Sequence, residues 1–305
     1  MRRRQALQLA AACALPRWGH AAPTFATTEV APGIHVRQGV HEEATVENQD
    51  GIANIGFIVG DRTVAVIDPG GSRADGEGLR GRIHAVTDRP ISHVIMTHLH
   101  PDHVFGAGAF APDQPVFVAH ARMEPMLVTR GEFYRNRLAD ILGIEEAGDY
   151  AKPGMLVQDT VSIDLGGRNL VLQGHPTAHT DNDLSILDEK TATLWMGDLL
   201  FVDRVPALDG SILGWLAVTR ALRDSKARAA VPGHGPPLVP WPAAASAQER
   251  YLGLLVREIR AIIARGGDIE EAVASVGASE RPNWLLFDDY NGRNVTAAFK
   301  ELEWE

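Results

Sequence analysis

The chain has 305 residues, of which 45% are hydrophobic and 22% charged. This length supports one large buried core or two small ones, and no apolar run reaches the roughly 18–20 residues that a membrane helix needs. A formal charge of −10 argues against nucleic acid and anionic membranes as partners.

Residues 1–21 read as an export signal. Arg2, Arg3 and Arg4 form a basic start, Ala6–Leu15 is mostly apolar, and Gly19-His20-Ala21 is a small-residue cleavage site. The order implies a periplasmic protein, and the arginine pair fits a twin-arginine signal in part. Removing this segment takes away four arginines and no acid, moving the formal charge from −10 to −14. The only cysteine, Cys13, lies inside it. The remaining chain therefore has no disulfide, thiolate ligand or cysteine nucleophile. Any metal must be held by His and carboxylate, which suits zinc, iron or manganese.

Further along, Gly33–Gly71 reads as strands, with β-rich runs at Asn54–Gly60 and Thr63–Ile67 split by Gly60-Asp61. A helix is predicted over Gly76–Val86 and a largely buried strand over Ile91–Met96. Val116–Ala119 reads as a strand and Arg122–Leu142 as mainly helical, with Pro125 and Gly131 obscuring its start. Strand patterns return at Val161–Leu165, Leu170–Gln173, Leu184–Leu187 and Thr193–Met196. A helix over Trp215–Asp224 and a strand over Ala229–Val231 follow. Beyond Ala243, Tyr251–Ala264 and Ile269–Val276 look like amphipathic helices joined by Gly266-Gly267. Strands followed by a helix, twice over, predict an α/β fold of two packed sheets with helices outside.

The most informative stretch is Thr97-His98-Leu99-His100-Pro101-Asp102-His103, directly after the strand Ile91–Met96. Ligand-type side chains this dense are costly to bury for structure alone. His98 and His100 can point one way from a strand end. Pro101 stops the strand, and the turn presents Asp102 and His103 to a neighbouring point. That predicts two metal ions roughly 3.5–4 Å apart. Three later residues sit near strand ends: His179, Asp198 after Thr193–Met196, and His234 in Pro232-Gly233-His234-Gly235. The neighbouring glycines allow close backbone approach, and a carboxylate such as Asp198 can bridge two cations.

H-x-H-x-D-H, a later His, a Gly-Asp and a Pro-Gly-His-Gly, in this order over Ile34–Pro236, resemble the metallo-β-lactamase superfamily. The resemblance implies a four-layer αββα sandwich, here as residues 22–240, with a C-terminal helical extension, 241–305, packed on it. It implies one metal on His98, His100 and His179, a second on Asp102, His103 and His234, and Asp198 between them. Two zinc ions are the expected cofactor, with iron or manganese as alternatives. Asp68 matches the superfamily's early strand-end aspartate and would orient a histidine ligand. His175 rivals His179, but His179-Thr180-Asp181-Asn182 fits the superfamily's third motif better. His120 reads as a packed histidine, and His35, His41, His84 and His93 as structural.

The chemistry expected is hydrolysis of an ester, thioester, lactone or amide in a small molecule. Two cations sharing a water bring its pKa toward neutrality, and Asp102 orients that water or shuttles its proton. A true β-lactamase is the rival within the fold, though those enzymes lack an aspartate at the place of Asp198. An iron-dependent sulfur oxygenase of the same fold is a second rival, and a non-catalytic metal-stabilised binder a third. His175–Asp183 together with Trp284–Val295 resembles the quinoprotein relay system zinc metallohydrolases, which implies a periplasmic quinoprotein dehydrogenase system as setting. In that C-terminal segment Trp284, Phe287, Tyr290 and Arg293 either wall the cleft or, as the plainer expectation, pack on the core.

Overall fold

The structure is a computed structural model and describes residues 25–305; the expected export signal and Cys13 lie outside them. The first sheet has seven strands in sequence order: β1 (Thr28–Ala31), β2 (Ile34–Arg37), β3 (Ile55–Val59), β4 (Val64–Ile67), β5 (Ile91–Ile95), β6 (Val116–His120) and β7 (Met155–Val157). Its first half is a meander of antiparallel pairs, and β4 to β7 run parallel. The second sheet has six strands: β8 (Thr160–Asp164), β9 (Asn169–Gly174), β10 (Leu184–Asp188), β11 (Thr193–Phe201), β12 (Ala229–His234) and β13 (Val239–Pro240). Only its β11–β12 pair is parallel.

Parallel neighbours need a crossover. Helix α1 (Arg73–Val86) supplies the one from β4 to β5, started by Ser72, whose hydroxyl accepts from the Asp75 amide at 3.2 Å. A short turn α2 (Pro101–Val104), a 3-10 segment Phe105–Asp113, and a helical run of α3 (Met123–Met126) and α4 (Glu132–Leu142) complete the first half. The second half carries α5 (Ile212–Arg223) between β11 and β12, then α6 (Ala245–Ala264), α7 (Ile269–Ser275) and α8 (Phe287–Leu302).

Three apolar cores set the layers. Ile34, Ile67 and Ile95 of the first sheet meet Leu172, Ile186 and Trp195 of the second. The outer face of the first sheet packs Val64 and Val66 against Leu79 and Ile83 of α1. The outer face of the second packs Leu194 and Leu199 against Trp215 of α5, Leu255 and Ile259 of α6, and Val295 and Phe299 of α8. The result is the αββα sandwich, closed by the C-terminal helices. Among the described residues no helix is long and apolar enough to cross a membrane.

One strand runs differently from expectation, and the expected C-terminal helical extension gains its bounds. Thr193–Met196 extends to Phe201, so Asp198 sits inside β11 and not beyond it. The hydrophobic run Leu199-Leu200-Phe201 continues the strand past the Gly197-Asp198 break. The segment after Trp284 is helical from Phe287 to Leu302, with Val295, Ala298, Phe299 and Leu302 facing the core at helical spacing.

Candidate metal centre

The two sheets open at one end, and there the motifs converge. His98 and His100 stand on the extended segment after β5. His100 is the last extended residue (φ −64°, ψ 147°), and Pro101 begins α2; its ring fixes φ and needs no N–H partner at a helix start. Asp102 and His103 thereby lie on the first helical turn. From the second sheet come His179, in the loop before β10, Asp198 in β11, and His234 at the end of β12.

Asp198 reaches the site through a bulge. The β11–β12 register shifts on either side of Gly197, which adopts φ +48°, a region that favours glycine. Gly233 then leaves room for the carboxylate, since a Cβ there would collide with Asp198 Oδ1.

The seven side chains form two adjoining groups: His98, His100, His179 and Asp198, and then Asp102, His103 and His234. In the first, His100 Nδ1 lies 3.1 Å from His98 Nε2 and 3.0 Å from His179 Nε2. Asp198 Oδ2 is 3.7 Å from His98 Nε2 and 3.5 Å from His179 Nε2. In the second, Asp102 Oδ2 is 3.5 Å from His103 Nε2 and 3.3 Å from His234 Nε2. The other oxygen of Asp198, Oδ1, is 3.1 Å from His103 Nε2 and 3.4 Å from His234 Nε2. One carboxylate therefore faces both groups.

The rest of each imidazole is fixed. His103 Nδ1 donates to Asp68 Oδ2 at 2.8 Å, and Asp68 also accepts from the Thr97 amide and hydroxyl at 2.7 and 2.8 Å. His98 Nδ1 donates to the Thr97 hydroxyl at 3.1 Å. His179 Nδ1 donates to the Ala207 carbonyl at 2.6 Å, and His234 Nδ1 to the Ile52 carbonyl at 2.9 Å. His100 is turned the other way, its Nε2 3.2 Å from Asp209 Oδ2. Such partners set the tautomer, so that the free nitrogens are the ones that converge.

Electrostatics agree with a ligand role. Burial pushes His98 well below the usual histidine range and His179 down to about 3, keeping both neutral with a lone pair to offer. Burial alone would raise Asp102 and Asp198, but the facing histidines win and hold both well below the usual carboxylate range. His103 Nε2 and Asp198 Oδ1 are fully buried and make no hydrogen bond of normal geometry. Against burial, the Asp198 and Asp102 carboxylates push His103 well above the usual histidine range. Orphaned polar atoms at the centre of such a cluster call for a partner, and a cation in place of that proton fits a set of imidazoles and carboxylates.

His175 lies outside the cluster, its Nε2 2.8 Å from Ser185 Oγ. His120 is buried, accepting from the Arg122 amide at 3.0 Å. Asp209, Arg130 and Arg204 escaped the sequence reading. Asp209 pairs with Arg130 at 2.7 Å as well as with His100, and Arg204 is buried with its NH1 3.5 Å from His234 Nδ1. Nothing in Leu208-Asp209-Gly210 marks an acid that reaches a histidine over a hundred residues earlier. The C-terminal segment divides: Trp284 and Phe287 join the core, while Tyr290 and Arg293 line the cleft above the cluster.

The fold and this cluster define a metal-dependent hydrolase. The chain belongs to the metallo-β-lactamase superfamily, whose sequence profile matches residues 48–234. Among solved structures it is similar to a metallo-β-lactamase from Pontibacter korlensis, at 17% identity and TM-score 0.60 over 75% of this chain and 98% of that one. The metallo-β-lactamase IND-7 is similar at 17% identity and TM-score 0.60, over 76% of this chain and 99% of that one. The stereoselective inverting sec-alkylsulfatase Pisa1 from Pseudomonas sp. is similar at 16% identity and TM-score 0.63. It shares 82% of this chain but 45% of its own length. At these identities the likeness is one of fold. No curated protein sequence matches significantly.

Proposed function

We propose that the chain is a dinuclear zinc hydrolase that cleaves an ester, thioester, lactone or amide bond in a small molecule. The observation that carries this reading is Asp198, whose two oxygens address two different histidine groups. His98, His100 and His179 would hold one ion, Asp102, His103 and His234 the other, with Asp198 shared. When bound, two zinc ions supply an activated water nucleophile and polarise the bond under attack. Asp102 lines the cleft, where it can orient the nucleophile or shuttle its proton. Asp68 and Asp209 keep His103 and His100 in register.

Within the superfamily we place the chain with the quinoprotein relay system zinc metallohydrolases, on His175–Asp183 and Trp284–Val295, exported to the periplasm after loss of residues 1–21. N-terminal sequencing of the exported protein tests the cleavage site. The site itself is tested by elemental analysis of the purified protein and of Asp198→Ala. About two zinc per chain, falling in the variant, is the expected result. About one iron per chain in place of zinc would overturn it and move an oxygenase to the front. Thioesters, lactones and β-lactams then form the substrate screen.

A further inference from the structure

The cleft over the metal-ligand cluster encloses 480 Å³ and is lined in part by α4 and by the start of α8. Helix α4 contributes Phe133 and Ile141, which are 58% and 42% exposed. Apolar side chains left open beside a polar centre mark a contact surface. The same two helices bring Arg137 and Arg293 to the cleft.

These two arginines differ from the others near the site. Arg204 is buried and hydrogen-bonded to Glu43 and Tyr290, and Arg130 is paired with Asp209. Arg137 and Arg293 are exposed, and among the described residues neither has a salt bridge or a side-chain hydrogen bond. Each lies against an aromatic ring instead. The Arg137 guanidinium is 5.9 Å from the Phe133 centroid and the Arg293 guanidinium 5.4 Å from that of Tyr290. Stacking occupies the face of a guanidinium and leaves its N–H fork free. Two acids that line the same cleft are engaged elsewhere: Glu43 with Arg204 and Tyr290, Asp209 with Arg130 and His100. A chain of net charge −10 thus keeps two unpaired cations at the mouth of its cleft, where they offset a field that would repel anions.

We infer that Arg137 and Arg293 bind an oxyanionic group of the substrate, with Phe133 and Ile141 covering an aliphatic segment between that group and the bond presented to the metal ligands. The substrate class is an acyl ester or thioester whose acyl chain ends in a carboxylate or an equivalent oxyanion. This rests on the hydrolase reading of the cluster. The arginines set specificity and touch substrate away from the reacting bond.

The test compares zinc-loaded wild type with R137Q, R293Q and the double variant on two esters of equal acyl length: mono-4-nitrophenyl glutarate, which carries a carboxylate, and 4-nitrophenyl pentanoate, which does not. The wild type should favour the anionic ester. The double variant should lose about tenfold or more in kcat/KM for it, chiefly through KM, and keep its kcat/KM for the neutral one. Arginine-to-lysine variants should retain part of the preference, and high salt should shrink it. A second arm needs no turnover: calorimetric binding of glutaramate against pentanamide, with the same variants. Equal affinity for glutaramate in wild type and double variant overturns the inference. Turnover of neither ester, with the charge preference intact in binding, supports the arginine site and counts against the hydrolase reading instead.

Discussion

At the level of single residues the site depends on groups that never meet a metal. Asp68 stands in the left-handed region at φ 56°, which aspartate tolerates better than most residues, and from there it fixes both Thr97 and His103. Asp68→Asn keeps the shape but gives His103 a weaker acceptor. The expected outcome is a ten- to hundredfold loss of metal affinity with an unchanged far-UV spectrum, read by competition with a chelating dye; unchanged affinity would sink the assignment. Gly233 makes the same point sterically. Gly233→Ala should displace the Asp198 carboxylate and lower metal content per chain, measured on purified protein, and full occupancy would show that β12 yields instead. Most of these residues were legible because histidines and acids were packed into short motifs beside glycines. Asp209 was not, because its role comes from a loop folding back over His179 through the Asp209 N–H to His179 carbonyl bond of 3.0 Å. Sequence spacing carries no trace of such a contact.

At the level of elements, apolar period and turn residues placed most strands and helices within a few residues of where they lie. The exceptions have physical causes. Gly197 looked like the end of a strand, yet the bulge lets β11 continue. Gly131 and Pro125 looked like breakers, yet Pro125 sits in the first helical turn, where a missing N–H costs nothing, and Leu127–Gly131 widens to a π-turn that keeps the run continuous. Helix α8 falls within the expected C-terminal helical extension, though its bounds were not legible, and it ties the C-terminal segment to the sandwich. Its Glu301 accepts from Ser211 Oγ at 2.6 Å and from the Ile212 amide at 2.7 Å, a carboxylate set on the positive end of α5. Glu301→Ala should cost about 1–2 kcal/mol by denaturant unfolding, and a change below a few tenths would remove the cap. Glu280 offers a pH-dependent counterpart. Its hydrogen bonds from Arg250, at 2.8 and 2.9 Å, and then from Trp284 Nε1, at 3.0 Å, hold it down to about 2. A carboxyl held below its ordinary value stabilises the fold above that ordinary value, and the gain is lost as pH falls toward the depressed one. The Tm gap between wild type and Glu280→Gln should therefore be widest near neutrality, narrow as pH falls below the ordinary value of 4.5, and close toward about 2. A gap that stays constant across that range would show that the ion pair contributes nothing.

At the level of the whole molecule, the seven candidate ligands divide between the halves: His98, His100, Asp102 and His103 follow β5 of the first sheet, and His179, Asp198 and His234 belong to the second. Between the sheets lies an apolar layer, which resists separation but has no directional preference. A bridged ion pair at the open end would add that direction, pinning one sheet against the other at a single register. Without metal the same place holds two buried polar atoms with no hydrogen-bond partner, His103 Nε2 and Asp198 Oδ1, a cost the fold bears unaided. Ions that bind only the folded chain at a hundred to a thousand times their Kd stabilise it by about 3–4 kcal/mol. For a chain of this size that corresponds to roughly 5–15 °C in Tm. Chelation should lower Tm by that amount and re-addition of zinc should restore it, followed by calorimetry. Asp198→Ala should show both a lower metal content and a smaller chelator effect, because loss of the shared carboxylate uncouples the two groups. A chelator effect of full size in Asp198→Ala would mean that the sheets are held by separate ions, and that Asp198 joins nothing.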